Sequence, residues 1–434
     1  MHIAQFIHRY PPAVGGAELY MQRLGRYLAT HGDHVTVWTS TAQQLEEMWQ
    51  RPVRQQSASS PFYEQQMFSC QGDSSIFWVK RYPPLRFPTR RYVLKALSLV
   101  RHPLWQCLTA PCNPICLRMW NDVNTTTQPL DAVHAAAFPY SFPIACAWKL
   151  ARRRQVPFLL TPFLHLGDPT DLADRTRKQY TAPHLRWLLR QADAVFVQTR
   201  WEREAVASLG VADERIVQQG LGVDVGECTG GDRHGFRAQW GITHEILIGH
   251  LSNNSAEKGT VDLLRAAQHL WRSGERFRIV LAGPEMPNFR AFWSRFPEQQ
   301  HVLRLGVLNA PQKRDFFAGI DLFALPSRSD SFGLVLLEAW ANAKPVVVYR
   351  AGGPAELVRD GIDGLQARCG DVAGLAAGLH KLLKDASLRH RLGLSGCARI
   401  AREFLWPDKL ARFREVLETL QRGAKTSRRH QSAA

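Results

Sequence analysis

The stretch LPSRSDSFGLVLLEAWANAKPVVV, residues 325–348, decides the fold. An apolar run ends at Pro326, a polar loop follows, and a helix is predicted to begin near Phe332 with Asp330 or Ser331 placed to cap it. Past Lys344-Pro345 a second apolar run, Val346 to Tyr349, reads as another buried strand. Strand, helix and strand in that order make one unit of a parallel sheet. The first turn of such a helix, Ser331-Phe332-Gly333-Leu334, offers backbone N–H groups and the positive end of a dipole, which suits a phosphate or diphosphate. Gly333 allows close approach. Asp330 stands ahead of the helix and Glu338 about two turns into it, so two carboxylates flank one anion-receiving helix start, each able to accept from vicinal hydroxyls of a sugar.

The same rhythm extends in both directions. Downstream of a glycine-rich stretch at Gly220–Gly231, strands are predicted at Ile246–Leu251, Arg278–Ala282, Val302–Leu305, Leu322–Leu325 and Val346–Tyr349, with helices between them. Upstream lie strands at Ile3–Ile7, Val35–Thr39, Ala132–His134, Phe158–Thr161 and Ala194–Gln198. The expected organisation is a first doubly wound domain over 1–219, carrying an irregular insertion at 41–130, and a hinge over 220–240. A second such domain covers 241–405, and 406–434 is a helix end followed by a disordered basic tail. Two such domains would face each other across a cleft lined by strand carboxyl ends.

Composition narrows the function classes. With 434 residues, 45% hydrophobic and 21% charged, the chain is long enough for two α/β cores and is not a disordered protein. The opening MHIAQFIHRYPP does not read as a secretory signal, and the uncharged stretch 132–148 is too short and proline-broken for a membrane span. Eight cysteines lie scattered without a C-x-x-C pair, which argues against zinc or a disulfide framework and for a reducing cytoplasm. A formal net charge of +17 asks for an acidic partner.

The segment Asp330-x7-Glu338 resembles the E-x7-E signature of family 4 of the retaining nucleotide-sugar glycosyltransferases, which have the GT-B fold. The resemblance implies that Glu338 binds the nucleotide ribose and Asp330 the donor sugar, with Asp in place of the usual Glu. Further matches spread along the chain. Tyr10-Pro-Pro-Ala-Val-Gly-Gly-Ala-Glu is similar to the glycine loop after the family's first strand, so Gly15 and Gly16 are expected near donor phosphate or acceptor. ILIGHLSNNSAEKGTVD, residues 246–262, resembles the element whose Arg and Lys neutralise the diphosphate leaving group. Lys258 matches, while His250 stands where Arg is usual. Val307 sits where the family shapes its base pocket. The strand ending at His134 resembles one that finishes in His-x-His, with Ala136 in the second position, so His134 or His165 is expected to supply an imidazole, and Asp168 is an acceptor-side candidate. The resemblance implies a metal-independent transferase that needs no cofactor beyond its nucleotide-sugar co-substrate. The reaction expected is hexose transfer to a hydroxyl acceptor, lipid-linked or a glycan intermediate of cell-surface polysaccharide synthesis.

Between Asp73 and Asp122 there is no acidic residue, while Lys80, Arg81, Arg86, Arg90, Arg91, Lys95, Arg101 and Arg118 alternate with Tyr82, Phe87, Tyr92, Trp105 and Trp120. That interleaving suits an anionic bilayer, implying a cytoplasmic enzyme held peripherally on the inner face of the membrane. Three other function classes compete. A dehydrogenase would need G-x-G-x-x-G, and Val225 stands where the third glycine belongs. A sugar-nucleotide epimerase of the same fold would release free sugar. A nucleic-acid-binding protein is favoured only by the charge and the basic tail, with no binding module to match, so no nucleic-acid partner is expected.

Overall fold

The computed structural model describes residues 1–50, 63–70, 73–168, 171 and 173–432. The chain divides into two compact units. The first comprises Met1–Leu164, Lys178–Gln219 and Leu410–Ala434, and the second His165–Arg177 and Gly220–Lys409.

The first unit is built on β1 (His2–Phe6), β2 (His34–Ser40), β3 (Tyr63–Cys70), β4 (Asp73–Tyr82), β5 (Ala132–Ala136), β6 (Phe158–Thr161), β7 (Ala194–Val197) and β8 (Ile216–Gln218). Their order in the sheet is β3-β4-β2-β1-β5-β6-β7-β8, parallel throughout except where β3 pairs antiparallel with β4. The central strands are short apolar runs because helices cover them on both faces, as for Gly16–Thr30 and Ser141–Arg154. Part of the expected insertion is therefore the β3–β4 extension of this sheet, followed by helices Arg90–Leu97, Pro103–Thr109 and Leu117–Thr125, while residues 51–62 and 71–72 lie outside the described residues.

The end of the chain corrects an expectation. Residues 406–434 were expected to end in a disordered tail, yet a helix runs from Trp406 to Ser432, only 433–434 lying outside the described residues. Leu410, Phe413 and Leu417, spaced at i, i+3 and i+7, are buried, so one stripe of this helix is core. Phe413 packs 4.8 Å from the His134 ring and 4.5 Å from Phe196.

In the second unit β9 (Ile246–Leu251), β10 (Phe277–Ala282), β11 (Val302–Arg304), β12 (Leu322–Leu325), β13 (Val346–Tyr349) and β14 (Gly364–Ala367) form an all-parallel sheet ordered β11-β10-β9-β12-β13-β14. This is the doubly wound order, with its switch point between β9 and β12. Its core includes Ile248, Leu264, Ile279, Leu322 and Val347. The stretch expected as a hinge, 220–240, is instead fastened to this unit. It carries helices Val225–Cys228 and Arg233–Gln239, and Arg233 and Arg237 pair with Asp321 at 2.7 and 3.2 Å.

Because the strands are parallel, the loops after β9, β10, β11, β12 and β13 all leave from one edge. Two of them interlock through Gly259, the N-cap of helix Thr260–Arg272, whose φ is 75°. A Cβ there would stand 1.8 Å from the Pro326 carbonyl oxygen. Gly259→Ala is expected to cost about 1–3 kcal/mol, because it combines left-handed strain with a backbone clash. Gly274, at φ 93° with nothing within 4 Å of a built Cβ, is the control, and its alanine variant should lower the melting temperature less. Equal calorimetric shifts for the two variants would contradict the interlock.

Candidate functional site

The loops that follow β9 and β12 leave from either side of the switch point, where open α/β sheets take ligands. They are stitched together by Arg328 N donating to Glu257 O at 2.9 Å, while Lys258 N, donating to Ser255 Oγ at 3.1 Å, steadies the β9 loop itself. Across the switch point the Lys258 ammonium meets Asp330 Oδ2 at 2.7 Å and Ser329 O at 3.3 Å. Burial alone would raise the Asp330 carboxyl, but Lys258 and then His165 outweigh it and hold Asp330 below its ordinary value. His165 belongs to this unit and hydrogen-bonds the Ser329 backbone, while Gly167 N donates to Ser329 Oγ at 3.3 Å. Burial first, and Lys258 second, lower the His165 pKa to about 4, so the ring is neutral at pH 7. Asp168 lies beside Cys369 and shares a hydrogen bond with it. Three residues distant in sequence, His165, Lys258 and Asp330, are thereby one cluster.

The helix start differs in detail from expectation. Neither Asp330 nor Ser331 caps it: the helix is Leu334–Ala341, its N-cap is Gly333 at φ 93°, and no side chain caps it. The physical reason is that Asp330 is committed elsewhere, with Oδ2 on Lys258 and Oδ1 accepting from Phe332 N at 3.2 Å. Phe332 is buried. Gly353 backs onto this turn, its built Cβ falling 2.4 Å from Phe332 Cα, so the loops after β12 and β13 pack backbone against backbone. Leu336 N donates to Gly333 O at 2.9 Å, and the amides of Leu334 and Val335 ahead of it have no earlier helical carbonyl to reach.

Glu338 is the fifth residue of the helix, just over one turn in rather than the two turns expected, because the helix starts at Leu334; it is 8% exposed. Its Oε1 accepts from Lys313 Nζ at 2.5 Å, and its Oε2 is buried with no hydrogen-bond partner. A buried carboxylate oxygen without a donor is costly, and a ligand hydroxyl would remove that cost. Lys313, on helix Ala310–Gly319, was not singled out in the sequence. Val307 is 57% exposed in the loop after β11, next to Gly306 at φ 68°.

His250 does not take up the role of the missing arginine. It is fully buried, Nδ1 facing Ala324 O at 2.8 Å and Nε2 facing Thr260 Oγ1 at 2.9 Å and Ser252 Oγ at 2.8 Å. A carbonyl can only accept, so Nδ1 carries the proton and Nε2 accepts from hydroxyls. Burial lowers its pKa to about 4. The ring ties β9 to β12 and supplies no cation. In the first unit His134 is likewise enclosed, its Nε2 on Thr161 Oγ1 at 2.8 Å and its pKa lowered by burial to about 3. Its ring packs among Tyr20, Phe196 and Phe413, which makes it a core residue and not an imidazole presented to substrate.

These histidines give a pH prediction. Their ordinary pKa is about 6.5 and their folded values lie near 4 and 3, so between pH 6.5 and 4 the unfolded chain binds more protons than the native one. Stability should therefore fall as pH drops through that window, by up to about 1.4 kcal/mol per pH unit for each enclosed ring. Melting temperatures measured from pH 7 to 4 should show the decline, and a flat profile would contradict the enclosure.

Gly15, the N-cap, and Gly16 open helix Gly16–Thr30, the next element after β1. A Cβ on Gly15 would fall 2.1 Å from Glu18 Oε2. Glu18 is buried, receives Arg9 Nη2 at 2.6 Å, and has His8 Nε2 3.4 Å away, with the His8 ring stacked 3.9 Å from Tyr140. Burial, only partly offset by Arg9, raises the Glu18 carboxyl. This cluster at the carboxyl end of β1 escaped the sequence reading, although Glu18 closes the quoted glycine motif.

Residues 232–397 match the family model for glycosyl transferases group 1, and residues 15–222 match that for the glycosyl transferase 4-like domain. The chain belongs to the GT-B glycosyltransferases of family 4. It is 30% identical over 246 residues to a D-inositol 3-phosphate glycosyltransferase of Streptomyces bingchenggensis, covering 54% of each chain. It is 27% identical over 245 residues to a glycogen synthase of Mycobacterium tuberculosis, covering 55% of this chain and 56% of that one. The matches thus span about half the length of these relatives. Among solved structures, Anabaena HepE in complex with UDP superposes with a TM-score of 0.68 at 18% identity over 96% of this chain and all of that one. Sucrose-phosphate synthase of Thermosynechococcus elongatus gives 0.70 at 18% identity, over 96% and 98%. These two likenesses speak to the two-domain α/β fold. Among the described residues of this family 4 chain, no group of three or more His, Cys, Asp or Glu is arranged to hold a metal ion, and no helix is long and apolar enough to cross a membrane.

Proposed function

We propose that this chain transfers a hexose, with retention of configuration, from a nucleoside diphosphate sugar to a hydroxyl acceptor that is lipid-linked. The observation that carries the reading is the pairing of Lys258 with Asp330 across the switch point, with the partnerless Glu338 oxygen eight residues on in the helix that follows. A diphosphate at the amide-rich start of helix Leu334–Ala341 would draw on Lys258 and the helix dipole for neutralisation, work that a metal ion does in other enzymes. Glu338 would accept from the ribose and Asp330 from the hexose. In the transfer the acceptor oxygen forms its bond to the anomeric carbon as the bond from that carbon to the diphosphate oxygen breaks. The acceptor proton passes to the departing diphosphate, on the same face. The solved HepE complexes with UDP and with UDP-glucose, and the inositol phosphate in the Streptomyces relative's name, support this class of substrate.

Thermal-shift screening against UDP-, GDP- and ADP-sugars, followed by product analysis with and without acceptor, tests the reading. Stabilisation by one nucleotide sugar and glycoside formed only with acceptor is the expected result, undiminished by a chelator. Free or epimerised sugar formed without acceptor would favour the epimerase instead. No shift with any nucleotide sugar would overturn the proposal.

A further inference from the structure

The first unit contains a cavity of about 1150 Å³ walled by Trp49, Arg86, Phe87, Arg90, Arg91 and Pro139, among others. Pro139 follows β5, so the cavity opens near the carboxyl edge of this unit's sheet. Arg90 is the informative wall residue. It is 3% exposed, and its guanidinium donates to the carbonyls of Pro111 and Asn113. Its Nε has no hydrogen-bond partner, and among the described residues no carboxylate pairs with it. The nearby Glu47 turns its carboxylate to the Gln43 amide. A buried guanidinium held only by carbonyl dipoles keeps its full charge, and an anion in the cavity is the partner that would compensate it.

The surface beside the cavity is apolar and cationic together. Eight of the thirteen large apolar side chains exposed among the described residues fall between Leu85 and Leu117, with Tyr92 and Leu99 each 75% exposed. Arg91, Lys95 and Arg101 stand exposed among them, and this stretch contains no acidic residue. The structure also separates the basic run read from the sequence into two sets. Arg81 and Arg90 are buried, Arg81 donating to Pro11 O at 2.6 Å, and Lys80 lies over the Trp38 ring, whereas Arg91, Lys95, Arg101 and Arg118 face solvent.

We propose that the cavity binds the phosphate or diphosphate of a membrane-embedded, lipid-linked acceptor while the strip from Arg91 to Trp105 rests on the bilayer. An apolar strip seats in the interface, its cations meet anionic headgroups, and the phosphate that joins lipid to sugar is delivered to Arg90. This rests on the glycosyl-transfer reading above and names the acceptor's chemical class.

The test is co-flotation of the full chain with three vesicle types: phosphatidylcholine alone, phosphatidylcholine with phosphatidylglycerol, and phosphatidylcholine with polyprenyl diphosphate at matched surface charge. The chain should bind both charged types and prefer the polyprenyl diphosphate vesicles by at least about tenfold, with inorganic diphosphate competing for that preference. The exposed triple variant Arg91→Glu, Lys95→Glu, Arg101→Glu should weaken binding to both by about a hundredfold. Arg90→Met should remove the preference and leave the binding to phosphatidylglycerol, and Arg90→Lys should restore part of the preference. Binding unchanged in the triple variant, or no binding to any vesicle, overturns the membrane strip; equal binding at matched charge overturns the phosphate cavity. Nucleotide-sugar thermal shifts measured on the same samples separate the outcomes. If those shifts persist while vesicle binding fails, this inference falls and the donor-site reading stands.

Discussion

Replacing Lys258 with methionine should lower kcat/KM by about a thousandfold, the upper end of what removal of one electrostatic donor does in a water-poor site. The ammonium is 21% exposed and its Asp330 partner 17%, so the charge acts in a medium well short of bulk water. Two effects add. The departing diphosphate loses its cation, and Asp330 loses the partner that outweighs its burial, so its pKa rises and its ability to accept from a sugar hydroxyl weakens near neutral pH. The pH profile should report this: activity of the methionine variant should fall off at higher pH on the acid side than activity of the wild type. Lys258→Arg keeps the charge while changing its shape, and should recover part of the loss. Because both residues serve one cluster, the Lys258→Met, Asp330→Asn double variant should lose far less than the product of the single losses. Steady-state kinetics within threefold of wild type for Lys258→Met would remove this residue from the chemistry.

Much of the second unit is legible in the sequence because its central strands are buried on both faces. The runs ILIGHL, LFAL and VVVY carry almost no polar residue, and β9, β12 and β13 coincide with their expected bounds. The edge strand β14, GLQA, escaped notice because an edge tolerates a glycine and a glutamine, the latter spending its side chain on Ala355 O and Val358 O. β8, only three residues long, and the β3–β4 pair, lost in a run of aromatics and cations, gave no clean period.

The site divides along the same line. Asp330, Glu338 and Lys258 stand out locally, since a loop entering a helix after an apolar strand is a short-range pattern. The pairings do not: Lys313, 25 residues from Glu338, was not singled out, and His165, a candidate on its own, reaches Asp330 only because its segment belongs to the second unit. Nothing local distinguishes the buried histidines from catalytic ones either. His134 lies within the apolar strand β5 and His165 shortly after β6, and only tertiary packing puts one among aromatic rings and the other beside a lysine and an aspartate. His250 shows the converse: it stands where an arginine is usual and turns out to be a neutral tie between two strands.

Glu338→Ala should reduce kcat/KM by about two to three orders of magnitude with the fold intact. The size of the loss follows from what the wild-type site lacks. Its Oε2 is buried without a donor, so a ribose hydroxyl that reaches it satisfies a group already desolvated, and a site built that way rejects ligands lacking the hydroxyl. The effect on stability should be small, because the Lys313 side chain left behind is 31% exposed and can turn to water. A structural role and a ribose role then part company in one experiment. Wild type should discriminate against 2′-deoxy and 3′-deoxy forms of the donor, one of them by about a hundredfold, while Glu338→Ala should turn over the deoxy and ribose donors at similar rates, its loss having already been taken with the ribose form. If the alanine variant instead keeps the full preference for the ribose donor, the hydroxyl is read by another group, and the buried oxygen of Glu338 serves only to hold Lys313.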